Sequence, residues 1–434
     1  MPSSYRQSVD FLYALQKHGI KPGLDAVQGL LERLGHPERR YPSLHIGGTN
    51  GKGSTAAMAA SILQAAGYRV GMYTSPHLVE FRERILVDGG MVAEARVAEL
   101  TDRVRAACGT PREPTFFEFT TAMAFQHFAE SAVDVAVVEV GLGGRFDATN
   151  VLAPVASAII TVSLDHHEHL GSTVAAIAFE KAGIIKPRVP VVVGRLSGEA
   201  AGVIARIAGE RGAPVIRMSA DFRVEAEPGG RFRYDGPAVS YGGLACPLAG
   251  RHQLDNAACA LALLETASGS GLPVSEEAVR TGLQTVRWPG RLETVEAHPH
   301  FLLDGAHNPE AAAAVAGHVA DIRRSRPGSR VLMVLGIMRD KDREGILDHL
   351  LPHADEVIVT QARGPRATPA DELAAMAAAR GRTAQVCPDP ADAMVIARRM
   401  AAPDDVILLT GSLLLVGEAK AILLGCGLSP LSLH

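Results

Sequence analysis

Apolar positions along the chain alternate between two textures. Short β-branched runs at 44–48, 133–140, 155–162 and 189–194 read as strands, and helical periodicity near 53–66, 91–107, 117–130 and 173–182 reads as helices. Strand runs that are apolar throughout, alternating with helices, predict a mostly parallel sheet covered on both faces. Between 214 and 250 the texture changes. Phe222-Arg223-Val224-Glu225-Ala226 and Arg231-Phe232-Arg233-Tyr234 flank Pro228-Gly229-Gly230, which predicts a β-hairpin inserted in, or appended to, the α/β body. A break comes at Trp288-Pro289-Gly290, after which strands at 300–304, 331–336, 356–360, 384–387 and 406–410 are separated by alanine-rich helices. The expected fold is therefore α/β in two units, 1–288 and a smaller Rossmann-like 291–434, with a cleft between them as the expected place for a two-substrate site.

The strand ending near 48 runs into Gly47-Gly48-Thr49-Asn50-Gly51-Lys52-Gly53-Ser54-Thr55, and a helix comes directly after. Strand, glycine-rich turn and helix N-terminus form a phosphate cradle: backbone N–H groups close on the phosphates, and Lys52 reaches the β and γ oxygens. The spacing departs from the usual Walker pattern, because Gly53 stands between Lys52 and Ser54 and position 46 is Ile. That departure narrows the candidates to a subgroup of P-loop proteins.

Composition narrows the function further. The 434 residues carry a net charge of −4, which supplies no global basic field for nucleic acid, so anionic ligands must meet local sites. Five cysteines without CxxC spacing argue for reduced thiols in a cytosol. No charged segment with an apolar one behind it opens the sequence, and the longest apolar stretch, Val151 to Val162, falls short of the roughly 20 residues that span a bilayer. A cytoplasmic protein without membrane partners is the expectation.

Other polar residues gather at strand ends. Glu139 closes the run Val133–Val138 and leads into Val140-Gly141-Leu142-Gly143-Gly144-Arg145, the position where P-loop proteins hold Mg2+ or orient a nucleophile. Asp165-His166-His167-Glu168-His169 stands after the next strand. By itself that cluster admits zinc; the missing cysteines and a P-loop's need for magnesium favour one histidine near Mg2+. Lys181 ends a helix, where most lysines are solvated caps. Toward the second unit, Arg251 to Asn256, Arg291 and Asp304-Gly305-Ala306-His307-Asn308-Pro309 place polar groups beside glycines around the expected cleft.

Taken in order, Gly48-Thr49-Asn50-Gly51-Lys52-Gly53-Ser54, Thr74-Ser75-Pro76-His77-Leu78, Thr115-Phe116-Phe117-Glu118-Phe119, Glu139 through Asn150, Leu164-Asp165-His166, Glu180-Lys181-Ala182-Gly183-Ile184 and Asp304 through Pro309 resemble the folylpolyglutamate synthase and dihydrofolate synthase family, a branch of the Mur ligase superfamily. The resemblance runs over nearly the whole chain. It implies a P-loop Mur-ligase-like ATPase domain and, after it, a glutamate-ligase domain, and an ATP-dependent amide ligase that adds L-glutamate to a reduced folate, and also to dihydropteroate, through an acyl phosphate. By the family's pattern Asn50, Gly51, Lys52, Gly53 and Ser54 cradle the triphosphate, and Asn256, Arg291 and Asp304 contact the nucleotide. Ser75, Glu139 and His166 hold Mg2+, and a carbamylated Lys181 helps to position a second ion. Thr115, Phe116, Phe117, Glu118, Phe146, Asp147 and Ala148 line the pterin site. His307 and Ser412 stand near the incoming glutamate. Lys52, Lys181 and His307 are thus the expected catalytic residues, and carbamylation of Lys181 requires a neutral amine, hence surroundings that lower its pKa.

The alternatives are a monofunctional folylpolyglutamate synthase, a Mur-type ligase of cell-wall precursors, and a P-loop kinase or nucleotide sensor. The last of these leaves the Asp304–Pro309 motif and the second unit without a task. A monomer is the expected state, because the two units already provide a site.

Overall fold

The computed structural model describes residues 3–19, 21–109 and 112–426. The chain divides into two compact units. The first comprises residues up to 77, 81–247 and 253–287; the second comprises 78–80, 248–252 and 288 onward.

The first unit is built on strands β1 (Ser43–Gly47), β2 (Val70–Tyr73), β3 (Ile85–Val87), β4 (Gly90–Met91), β5 (Val135–Glu139), β6 (Ala156–Ile159), β7 (Val191–Val193) and β8 (Val215–Arg217), in the order β4-β3-β2-β5-β1-β6-β7-β8. The six strands from β2 to β8 in that order run parallel, and β3 and β4 add an antiparallel edge. Every residue of β1, β2, β5, β6 and β7 is buried, the expected consequence of helices on both faces. Register at the centre of the sheet aligns four strand ends. Ile46 pairs with Glu139, Gly47 with Ile159 and Tyr73 with Val138, so the carboxyl ends of β2, β5, β1 and β6 lie side by side. In open α/β sheets that edge is where ligands bind.

The predicted hairpin is part of a larger element. Strands β9 (Arg223–Glu227), β10 (Arg231–Asp235) and β11 (Ser240–Ala245) form a three-stranded antiparallel sheet, β11-β10-β9. Gly229 (φ +73°) and Gly230 (φ +72°) make the first turn in a conformation that side chains disfavour. The third strand has little apolar alternation, Ser-Tyr-Gly-Gly-Leu-Ala, and it is held by pairing to β10 rather than by its own burial.

In the second unit, β12 (Glu293–Glu296), β13 (His300–Leu303), β14 (Val331–Leu335), β15 (Glu356–Val359), β16 (Gln385–Val386) and β17 (Val406–Thr410) take the order β12-β13-β17-β14-β15-β16. Strand alternation sends Leu302, Met333, Leu335, Val357, Val359, Val406 and Leu408 into one core, and Phe301, Leu303, Leu332, Val334, Ile358, Ile407 and Leu409 into another on the opposite face. The antiparallel edge strand β12 escapes sequence reading because Glu-Thr-Val-Glu offers one apolar residue in four. Residues 78–80 also belong to this unit: a Cβ on Gly417 would collide with the Leu78 carbonyl, so only glycine lets the helix Leu413–Leu424 approach that backbone.

Among the described residues no helix is long and apolar enough to cross a membrane, and all five cysteines are free thiols.

Candidate active site

The glycine-rich turn leaves β1 and is held from two sides. Gly48 (φ +145°) passes the backbone N–H groups of Ile160 and Thr161 so closely that a Cβ would lie 3.2 Å from each. Thr49 N–H donates to the Thr161 carbonyl at 2.8 Å, Asn50 N–H to Thr161 Oγ1 at 2.8 Å, and Ser163 N–H to Thr49 Oγ1 at 3.1 Å. The loop is thus zipped to the segment after β6, which fixes its backbone before any phosphate arrives. Gly51 (φ +83°) precedes the helix Lys52–Ala65, and a Cβ there would collide with Asn256 Oδ1.

Asn256, from a distant segment of the chain, is therefore packed on the turn of the cradle. Its Nδ2 donates to Gln253 Oε1 at 2.9 Å, and Gln253 Nε2 donates to Ser54 Oγ at 3.3 Å. Gln253 is 1% exposed, and nothing in the sequence marks it apart from its place one turn before Asn256. Lys52, half-buried, donates from Nζ to the Thr49 carbonyl at 2.9 Å, curling back over the loop that precedes it.

Glu139 lies on the neighbouring strand end. Its Oε2 accepts from Ser75 N–H at 3.1 Å, so the carboxylate and the Ser75 residue meet as the register of β2 and β5 requires. Lys181, on the helix Val174–Ala182, donates from Nζ to the Gly48 carbonyl at 2.9 Å. It is buried, and burial together with the Lys52 charge lowers its pKa to about 7, against the opposing pull of Asp165 and Asp147. Lys181 is thus no solvated cap. A Cβ on Gly144 would lie 2.9 Å from the carbonyls of both Glu180 and Lys181, so a glycine is what lets the loop after β5 rest on this helix.

His166 occupies a left-handed turn (φ +52°), with Nε2 3.8 Å from Asp165 Oδ2 and its side chain 40% exposed. Among the described residues no group of three or more His, Cys, Asp or Glu side chains converges to hold a metal ion; the side chain of His167 lies outside them.

The helix Phe116–Glu130 begins beside the same loop. Thr115 caps it and Glu118 completes the capping box, with Thr115 N–H donating to Glu118 Oε2 at 2.8 Å. Arg112 also pairs with Glu118. Phe117 stacks on Tyr73 at 5.9 Å between centroids and covers Gly141 so closely that any Cβ at that glycine would collide with the ring. Phe116 stacks on Tyr13 at 5.9 Å, and the buried Arg84 guanidinium lies 5.1 Å from the Phe116 ring. Tyr13, Tyr73 and Arg84 extend this aromatic group beyond the motifs, because they come from separate segments joined only by the fold. Asp147 points inward: Oδ2 accepts from Leu142 N–H at 2.8 Å, and Oδ1 from Thr149 N–H at 3.0 Å. Ala148 is buried, whereas Phe146 is exposed.

In the second unit the strand end of β13 carries Asp304. Its Oδ2 accepts from Leu292 N–H at 2.8 Å and its Oδ1 from Ala306 N–H at 2.8 Å, which folds the Gly290–Leu292 turn back onto the strand. Burial raises its pKa, and the nearby Arg291 charge opposes that. Arg291 Nη1 donates to the Gly290 carbonyl at 3.0 Å. His307 Nδ1 stands 2.8 Å from the Gly305 carbonyl; a carbonyl only accepts, so Nδ1 carries the proton and Nε2 is the acceptor in the neutral ring. Ser412, 2% exposed, is the N-cap of the helix Leu413–Leu424 and accepts from Leu415 N–H at 3.1 Å. A Cβ on Gly305 would collide with Leu413, which places the β13 and β17 strand ends together.

Comparisons with known proteins agree with this architecture. The Mur ligase middle domain matches residues 46–264, and the Mur ligase, glutamate ligase domain matches residues 290–413. The dihydrofolate synthase/folylpolyglutamate synthase of Bacillus subtilis is 36% identical over 431 residues, covering 97% of this chain and 99% of its own. The Escherichia coli FolC structure in complex with DHPP and ADP gives a TM-score of 0.88 at 33% identity, covering 98% of each chain. The bifunctional folylpolyglutamate synthase/dihydrofolate synthase from Yersinia pestis, complexed with AMPPNP and Mn ion, gives 0.87 at 33% identity over 97% of this chain and 98% of that one. With both Mur ligase domains present and an end-to-end relative of this identity, the chain belongs to the Mur ligase family, in its folylpolyglutamate synthase and dihydrofolate synthase branch.

Proposed function

We propose that this chain joins L-glutamate to the carboxylate of a reduced folate, and also to that of dihydropteroate, at the expense of ATP. The observation that carries the reading is the meeting of strand ends in the first unit, where Glu139 pairs with Ile46 just before the phosphate cradle and the buried Lys181 bonds to the Gly48 carbonyl within it. A carboxylate is a poor acylating agent. Its oxygen attacks the γ-phosphorus of ATP, ADP leaves, and an acyl phosphate forms. The glutamate amine then attacks the acyl carbon and gives up a proton, and phosphate departs from the tetrahedral intermediate.

In this reading Asn50, Gly51, Gly53 and Ser54 hold the triphosphate by backbone N–H groups, and Lys52 neutralises charge on the transferring phosphoryl group. Asn256, Arg291 and Asp304 contact the nucleotide. Thr115 to Glu118 and Phe146 to Ala148 line the pteroyl site, consistent with the aromatic group around Phe116 and Phe117. His307, with Nδ1 committed to Gly305, presents Nε2 as a proton acceptor near the incoming glutamate, and Ser412 orients that substrate.

Ser75, Glu139 and His166 are the proposed Mg2+ ligands. The Glu139 carboxylate at this strand end, anchored through one oxygen by the Ser75 N–H, with no group of three or more His, Cys, Asp or Glu side chains converging among the described residues, fits an ion that takes one or two protein oxygens and completes its shell with phosphates and water. Such an ion, when bound, supplies charge neutralisation on the phosphates. Lys181 has the neutral amine fraction at pH 7 that carbamylation needs: the amine adds to CO2, releases a proton and becomes a carbamate anion able to help hold a second ion. The five free thiols suit a cytosolic location, and a monomer without nucleic-acid partners completes the reading.

The test is ADP formation by the purified protein with Mg2+, dependent on glutamate, run in parallel with dihydropteroate and with a reduced monoglutamyl folate. Activity with both is the expected result. Activity with the folate alone restricts the enzyme to chain elongation, and silence with both overturns the reading.

A further inference from the structure

Eight large apolar side chains are exposed among the described residues, and the aromatic ones are Phe146 and Phe179, at 44% and 40%. The two rings meet the same cation. Arg145 Cζ lies 4.3 Å from the centroid of Phe146 and 5.0 Å from that of Phe179. The edge of the guanidinium is occupied, with Nη2 donating to Glu180 Oε1 at 2.7 Å and Nε to Glu180 Oε2 at 3.2 Å. The backbone is fixed as well, because Arg145 N–H donates to the Glu180 carbonyl at 2.8 Å and a Cβ on Gly183 would collide with Arg145 Cα. The trio is therefore a rigid, preorganised surface whose charge is already paired. It is poorly suited to an anion and well suited to a flat aromatic group.

Its place in the chain says which group. Phe146 immediately precedes Asp147 and Ala148, and Phe179 stands two residues before Lys181. The trio thus links the proposed pteroyl segment to the lysine that touches the phosphate cradle. Two side chains are also far too few for a protein partner, which takes roughly 800 Å2 on each side.

We propose that Arg145, Phe146 and Phe179 form a platform on which the aromatic ring system of the pteroyl substrate stacks, with Phe179 as a specificity-determining residue. The inference rests on the pteroyl-ligase reading above and adds to it a residue outside the motifs that carried that reading. The platform holds the ring while the substrate's carboxylate reaches the cradle, so it acts on substrate affinity rather than on phosphoryl transfer.

Steady-state ADP release with a reduced monoglutamyl folate, together with calorimetric binding of the same folate, tests it on the wild type, Phe179→Ala and Phe179→Tyr. The alanine variant is expected to raise both KM and Kd for the folate about three- to tenfold and to leave KM for ATP unchanged. The tyrosine variant, which keeps the ring, is expected to stay within about twofold of the wild type. An unchanged folate Kd in an active Phe179→Ala enzyme overturns the platform while leaving the ligase reading in place. A parallel loss of kcat, ATP affinity and folate affinity also overturns it, because that is the signature of a general structural role. A wild type that releases no ADP with any pteroyl acid overturns the reading and the platform together.

Discussion

Lys181 donates a hydrogen bond to the carbonyl of Gly48, 133 residues earlier in the chain, and so ties its helix to the first residue of the phosphate cradle to take a positive φ. Burial, reinforced by the charge of Lys52, lowers the amine from 10.5 to about 7. The unfolded chain keeps its proton up to the ordinary value, so between these two pH values it binds more protons than the native state, and stability rises with pH. The contribution of this group approaches about 1.4 kcal/mol per pH unit within that window. Denaturant melts in CO2-free buffer are expected to give a steeper rise for the wild type than for Lys181→Met, which cannot titrate. Equal slopes for the two proteins contradict the assignment.

In the proposed reaction Lys52 is the cation that the cradle presents to a phosphoryl group. Replacing it with alanine removes the hydrogen bond to Thr49 and no core packing, so the fold is expected to persist while ATP-dependent turnover falls by at least about 10²-fold. The electrostatics carry a second consequence. Lys52 is one of the causes of the low Lys181 pKa, so Lys52→Ala should move the Lys181 titration upward. ADP release and a circular-dichroism melt decide the first point, and the pH dependence of stability decides the second. Near-wild-type turnover removes Lys52 from the mechanism.

The alternating α/β texture and the strand runs at 44–48, 133–140, 155–162 and 331–336 were legible because buried parallel strands are apolar on both faces. Strand β12 and strand β11 were not, since an edge strand needs no such run and takes its place from its partner's hydrogen bonds. The cradle was legible for the same reason that it works: glycines at fixed offsets before a helix. Gln253, Thr161 and Tyr73 were not, because each meets the site only through strand order or through a helix from a distant segment. Asp147 and Ser412 stand in recognisable motifs, yet their helix-capping and backbone contacts are visible only in three dimensions.

Gly51 carries two constraints at once, a φ of +83° and the side chain of Asn256 where a Cβ would stand. Gly51→Ala is expected to destabilise the first unit by about 1–3 kcal/mol and to weaken nucleotide binding, because the turn and Asn256 must both shift. Gly67, also at positive φ but with open space around it, is the control: alanine there brings the φ cost without the collision and should leave nucleotide affinity unchanged. Calorimetric titration with ADP separates the two variants. Equal affinities place the Asn256 contact outside the nucleotide site.

Glu418 is 1% exposed on the inner side of the helix Leu413–Leu424, and its Oε1 accepts from Arg363 N–H at 2.6 Å. Burial pushes its pKa from 4.5 up to about 7, with the Arg363 hydrogen bond and charge opposing that rise. A carboxyl raised in the folded state contributes stability below its unfolded value, and that contribution is lost as pH climbs through about 7. Glu418→Gln keeps an acceptor for Arg363 but cannot ionise, so it is expected to match the wild type near pH 5 and to exceed it near pH 8. Glu418→Ala strands the Arg363 N–H and is expected to lie about 1–3 kcal/mol below the glutamine variant at both pH values. Melts of the three proteins at the two pH values test the assignment. A glutamine variant no more stable than the wild type at the higher pH means that the carboxylate is solvated or paired well enough to ionise in place.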